Sequence, residues 1–232
     1  MRRLLIHVEG LTERDFVREV LGPELRTLGF LDVSVRVLGD PRFGKARGGI
    51  GSWRTARNEI VRHLSRDPEC IATTMVDFYG MPETNDRAWP GRAEAARLKG
   101  EKKACLVEDR MLEEVTDTMG PRFNPTRFVP FILLHEFEGL LFSDCAAFTS
   151  GINQPTLEPE FRGIREQFAT PEDINDSSKT APSKRILELM PGYQKPLLGV
   201  LAALEIGLPK IRRECPHFND WLARLQQRSI LP

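Results

Sequence analysis

Glu9, Asp77, Glu136 and Glu138 each stand at the end of an apolar, strand-sized run: Leu4 to Val8, Ile71 to Val76, and Phe128 to Leu134. If those runs lie parallel in one sheet, their carboxyl ends line a single edge, where ligands of open α/β sheets bind. Carboxylates brought together there repel one another unless a cation neutralises them. Hard oxygen donors of this kind suit Mg²⁺ or Mn²⁺. Such an ion polarises a phosphoryl oxygen and activates water. Glu13 follows Glu9 by four residues, close enough to assist.

The elements that must hold these residues can be read from the periodicity. Leu4 to Val8 reads as a first strand. Glu9 to Thr12 is a turn, and Thr12 is a candidate cap for a helix bearing Phe16, Val17, Val20, Leu21, Leu25 and Leu28. Pro23 should kink that helix and Gly29 should end it. Val33 to Leu38 alternates as a second strand. A glycine-rich loop runs from Gly39 to Gly51, and Ser52 caps a helix to about Leu64. Ile71 to Val76 is a buried strand ending at Asp77. A loop covers 78–90, a helical stretch 91–118, and a single strand Phe128 to Leu134. Strands alternating with helices predict an α/β fold, a mainly parallel sheet flanked by helices, over residues 1–150. Residues 151–232 read as short helices forming a C-terminal lobe packed on that core.

The chain has 232 residues, with 33 Lys plus Arg against 33 Asp plus Glu. The 41% hydrophobic content supports a sizeable core and excludes a disordered or collagen-like chain. Zero net charge argues against a globally basic nucleic-acid coat. The charge is nonetheless uneven. From Arg36 to Arg66 eight basic residues face two acidic ones, while from Phe131 to Thr180 nine acidic residues face three basic. A basic segment beside an acidic metal edge suits a phosphodiester substrate, with Arg42, Lys45, Arg47 and Arg185 as candidates to hold its backbone. Trp53 and Trp89 are candidates either to stack on bases or to pack at the edge of a core. The glycine-rich loop lacks the G-K-S/T of a nucleotide-binding P-loop, so ATP hydrolysis by this chain is not expected. Cys70, Cys105, Cys145 and Cys215 lack zinc-motif spacing. No secretory signal or membrane-length apolar run is visible, so the expected location is the cytoplasm.

Val8-Glu9-Gly10-Leu11-Thr12-Glu13 resembles the opening motif of Toprim domains, in the E-G-x-T-E form of the nuclease domains of overcoming-lysogenization-defect proteins. Met75 to Pro82, His135 to Phe142, Thr180 to Arg185 and Cys215 to Asn219 extend the likeness to a bacterial Toprim-like family of unknown function, often encoded beside a RecF- or SMC-like ATPase. The resemblance implies that Glu9 is a metal ligand or general acid/base. Asp77 becomes the first acid of a D-x-D pair whose second position holds Tyr79 instead. Glu136 or Glu138 would supply the missing charge, Glu13 would serve the metal site, and Lys184 would be the site lysine. The implied activity is a metal-dependent nuclease in defence against phage or mobile elements, gated by a partner ATPase. The alternative is an inactive Toprim-derived module that binds nucleic acid or docks on the ATPase.

Structural roles compete with these assignments. Glu13 in a first helical turn favours a helix N-terminus without any catalytic part. Asp77 suits a turn, and Lys184 with Arg185 suits a solvated helix start. His7, His135 and His217 are expected to make structural hydrogen bonds. Phe137, Leu140, Leu141 and Phe142 are expected in the core.

Overall fold

The computed structural model describes residues 2–39, 50–174 and 180–230. Five strands, β1 (Arg3–Val8), β2 (Asp32–Val37), β3 (Cys70–Asp77), β4 (Phe128–Val129) and β5 (Ile132–Leu133), form one sheet in the order β2-β1-β3-β4, with β5 also beside β3. Every pairing is parallel. The chain is therefore α/β with a mainly parallel sheet, flanked by helices and followed by further helices. After the first strand come α1 (Leu11–Phe16), a π-helical turn (Val17–Leu21) and α2 (Gly22–Thr27). Next are α3 (Trp53–Arg66), α4 (Arg92–Ala95) and α5 (Glu101–Met119). Beyond the sheet lie α6 (Glu138–Leu141), α7 (Cys145–Gly151), α8 (Glu158–Arg165), α9 (Pro182–Leu189), α10 (Lys195–Ile206), α11 (Leu208–Glu214) and α12 (Pro216–Ile230).

The period-two pleat of β3 divides the core. Ile71 and Met75 face one hydrophobic cluster with Phe16, Ala203 and Trp221, which belong to α1, α10 and α12. Ala72 and Val76 face the other, with Ile60 of α3 and Met111 of α5. Phe137, Leu140, Leu141 and Phe142 lie in the first cluster, as their apolar character requires. Among the described residues, no helix is long and apolar enough to cross a membrane.

Four local details differ from the sequence reading. The first helix begins at Leu11 with Gly10 as its cap, and Thr12 is buried in the first turn. The Glu13 carboxylate accepts the Gly10 N–H at 2.9 Å, satisfying a helix-entry amide that a Thr12 cap would have left outside. The irregularity expected at Pro23 falls one turn earlier, as the π-helical turn. Pro23 has no N–H for the Glu19 carbonyl, and the widened turn absorbs that loss. The helical stretch over 91–118 is two helices, parted at Gly100, whose φ of 57° an L side chain would resist. The strand expected from Phe128 to Leu134 is split into β4 and β5.

Pro130 accounts for the split, because it cannot donate to the ladder. Buried threonines of β3 take over its role. Thr73 Oγ1 donates to the Val129 carbonyl. Thr74 Oγ1 accepts the Phe131 N–H and donates to the Phe131 carbonyl, both at 2.9 Å. The register survives the gap, since Thr73 pairs with Val129 and Val76 with Ile132. The segment after β5 therefore emerges at the same edge as the ends of β1 and β3.

Candidate functional site

Register alone brings the carboxylates together. Val8 is level with Met75 and Asp77 with Leu133. Glu9, one residue past β1, thus arrives beside the end of β3, and the His135–Glu138 segment arrives on the other side of Asp77. The junction between Glu9 and Asp77 is direct: a Glu9 carboxylate oxygen accepts the Asp77 N–H at 3.2 Å. Gly80, in the 3₁₀ turn after β3, backs onto Glu9. A Cβ at position 80 would lie 2.8 Å from both Glu9 oxygens.

Asp77 is the centre of the cluster. Its Oδ1 is fully enclosed and has no hydrogen-bond partner. Burial pushes its carboxyl well above the ordinary range, and the negative charges of Glu9, Glu13, Glu138 and Glu136 push it further. Glu13 and Glu138 are both buried. Burial raises each to about 7. Glu9 is raised as well, chiefly by burial, against the lowering effect of the Asp77 amide. Glu136 is tied more firmly: its Oε2 accepts the Ser183 N–H at the start of α9, at 2.9 Å. Burying so much like charge without neutralisation is costly. One cation addresses it. Lys195 Nζ, at the start of α10, lies 3.3 Å from Glu138 and 3.9 Å from Glu136. The Tyr193 hydroxyl is buried nearby, and burial followed by Glu138 and Glu136 raises its pKa.

The edge offers the ligand chemistry of a hard divalent cation, although among the described residues no three of its carboxylates bring oxygens within 4.8 Å of one another. The donors are all carboxylate oxygens, as Mg²⁺ and Mn²⁺ prefer. The enclosed, unpartnered Asp77 oxygen is the kind of atom that such an ion satisfies. Glu9, Asp77 and Glu138 are the residues that would hold it, with Glu136 and Glu13 at its margin.

Arg42, Lys45 and Arg47 fall outside the described residues. Lys184 stands exposed in the first turn of α9. Arg185 donates from Nε to the Thr180 carbonyl at 2.8 Å, and its guanidinium lies over the Phe168 ring at 5.3 Å. Tyr79 is 40% exposed and stacks on His135 with ring centroids 5.4 Å apart. The 3₁₀ turn after Asp77 aims position 79 outward, so the D-x-D spacing is not used as a pair here. Trp53 and Trp89 are core residues and do not offer faces to bases. Trp53 Nε1 donates to Glu114 at 2.6 Å and Trp89 Nε1 to the Gly51 carbonyl at 3.1 Å.

Sequence reasoning overlooked Lys195. One signal was available: a lysine at the first position of a helix opposes the helix dipole, and such a placement needs an acidic partner. His7 is buried as expected, with Nδ1 3.2 Å from the Thr73 carbonyl and Nε2 3.1 Å from His63. His217 is also buried, its ring stacked on Phe131 and its Nε2 3.0 Å from Glu108.

A family model described as a domain of unknown function, DUF4276, matches residues 8–226. The chain belongs to the DUF4276 family. The match takes in Glu9, Asp77, Glu136, Glu138 and Lys195, so the whole carboxylate edge lies within the DUF4276 domain. Neither a curated protein nor a solved structure matches the chain.

Proposed function

We propose that this DUF4276 protein is a metal-dependent phosphodiesterase, most simply a nuclease, working with Mg²⁺ or Mn²⁺ at the Glu9–Asp77–Glu138 edge. The observation that carries the proposal is the enclosed, unpartnered Asp77 oxygen amid four other carboxylates. Bound there, the ion would supply Lewis-acid polarisation of a phosphoryl oxygen. The chain supplies the rest. Glu13, buried beside Glu9 in the first turn of α1, is placed to hold or move a proton at the site. Lys195 offers a positive charge toward the phosphate. The basic segment containing Arg42, Lys45 and Arg47 would grip a nucleic-acid backbone. The Toprim-like motifs support this reading, and with it a cytoplasmic role in defence against phage or mobile elements beside a RecF- or SMC-like ATPase.

The test is cleavage of labelled DNA and RNA by the purified chain in Mn²⁺ or EDTA. Cleavage should require the ion and disappear in Glu9→Gln and Asp77→Asn. Activity that persists in both variants would remove the site from consideration.

Tyr79 favours a second reading. With an exposed phenol in place of a second acid, the domain could bind nucleic acid or dock on the ATPase without cutting. Retained nucleic-acid binding, with no calorimetric Mn²⁺ binding, would select that reading.

A further inference from the structure

A second constellation lies away from the carboxylate edge, where α5 meets the start of α12. Glu101 and Cys105 are one turn apart on α5 and share a face. His217, the second residue of α12, closes against them. The Glu101 carboxylate lies 3.6 Å from His217 Nδ1 and 3.9 Å from Cys105 Sγ. One oxygen, one sulfur and one nitrogen ligand atom all fall within 4.8 Å of one another. A tetrahedral Zn²⁺, with arms of about 2.0 Å to nitrogen or oxygen and about 2.3 Å to sulfur, has ligand–ligand edges of roughly 3.3 to 3.5 Å. The separations of Glu101 from His217 Nδ1 and from Cys105 Sγ exceed those edges by only a few tenths of an ångström.

The support behind the histidine is an independent observation. Glu108, one further turn along the same face of α5, is buried. Its Oε1 lies 3.0 Å from His217 Nε2 and accepts the Ile132 N–H at 2.9 Å, while Oε2 accepts from Arg224 at 3.0 Å. A carboxylate that fixes one ring nitrogen turns the other toward the ligand position, as at most protein histidine–metal sites. The main chain of His217 is anchored too, because Glu172 accepts the N–H groups of His217 and Phe218 at 2.9 and 3.0 Å. The imidazole is therefore held before any ion arrives. Cys105 is half-buried and Glu101 exposed, which leaves an approach from solvent and room for water as a fourth ligand.

We propose that Glu101, Cys105 and His217 form a site for one thiophilic divalent cation of the Zn²⁺ class, distinct in place and chemistry from the all-carboxylate edge. Thiolate and imidazole donors select Zn²⁺ over Mg²⁺. The ion would clamp α12 onto α5, beside the Glu108 carboxylate that also holds β5. It would stabilise the fold and need not touch a substrate.

The experiment uses the whole chain, stripped with chelator and titrated with Co²⁺. Thiolate-bound Co²⁺ gives a near-ultraviolet charge-transfer absorption that carboxylate-bound Co²⁺ lacks. The band should saturate at one ion per chain, yield to Zn²⁺, and persist in Glu9→Gln. Cys105→Ser should abolish it, with circular dichroism unchanged. Glu101→Ala should weaken Zn²⁺ binding about tenfold or more and shrink the thermal shift that Zn²⁺ gives the wild type. No thiolate band in the wild-type chain, an undiminished band in Cys105→Ser, or an equal Zn²⁺ thermal shift in the wild type, Cys105→Ser and Glu101→Ala would each overturn the proposal.

Discussion

The carboxylate of Glu9 accepts the backbone N–H of Asp77, so the first acid of the edge is positioned by the main chain of the second. Gly80 closes the other side of Glu9. Its φ is not in the left-handed region, so alanine would meet no backbone penalty there. The alanine Cβ would fall 2.8 Å from both Glu9 oxygens, and Glu9 would have to swing away. Gly80→Ala should therefore leave the melting temperature within a few degrees of wild type. It should weaken Mn²⁺ binding, measured by calorimetry, by about tenfold, or ~1.4 kcal/mol. Unchanged Mn²⁺ affinity would mean that Glu9 holds no ion.

His7 lends the fold a pH dependence separate from the acidic edge. Burial lowers its pKa from 6.5 to about 3, with His63 contributing, so the folded state keeps it neutral. The unfolded chain takes up a proton below pH 6.5 and the folded chain does not. The stability tied to His7 is full above 6.5 and is lost as pH falls toward 3. Between pH 6.5 and 4 the loss attributable to this group is at most roughly 3 kcal/mol. His7→Asn keeps a donor for the Thr73 carbonyl and removes the titration. Its urea-derived stability should fall less steeply with acidification than the wild type's over that range. Parallel curves would contradict the assignment.

The carboxylate edge was legible in the sequence because it depends on strand ends, and strand ends are marked by where apolar runs stop. Glu9 and Asp77 follow from that signal alone. The break at Pro130 was present as a residue, but its consequence depended on Thr73 and Thr74, more than fifty residues earlier. Long-range compensation of that kind leaves no local period. Lys195 was missed for a related reason. It approaches from a helix far along the chain, and its role exists only once α10 packs against α1 and α6. Lys184 sits in a more suggestive local motif but points to solvent. Lys195, on the next helix, is the lysine within reach of Glu138 and Glu136.

Trp53 and Trp89 give a prediction that separates packing from recognition. Each spends its indole N–H on a partner within the chain, Glu114 for Trp53 and the Gly51 carbonyl for Trp89, and the two rings lie 5.1 Å apart. Trp53→Phe keeps an aromatic ring and forfeits one such bond. It should cost roughly 1 kcal/mol of stability in denaturant unfolding. Affinity for single-stranded nucleic acid, measured by fluorescence anisotropy, should stay within about twofold. A loss on the order of 1 kcal/mol or more in binding would instead mark Trp53 as a stacking residue.

Lys195 provides the sharpest distinction between binding an ion and using it. Its ammonium lies 3.3 Å from Glu138, a residue only 2% exposed, and so competes with any divalent ion for that carboxylate. Removing it in Lys195→Met takes away a competitor, so Mn²⁺ affinity should hold or rise at pH values where Glu138 is ionised. The same change removes the positive charge that, in the proposed reaction, faces the phosphate. Cleavage should fall by about a hundredfold, the scale for losing one electrostatic contact to a developing charge. Without its partner the Glu138 carboxyl, already raised to about 7 by burial, should move higher still. The acidic limb of the Mn²⁺-binding pH profile should follow it upward. Lys195→Arg should recover part of the rate, and Lys184→Ala should behave as wild type. If Lys195→Met instead lost Mn²⁺ binding and activity together, the lysine would be organising the carboxylates and not acting on the substrate.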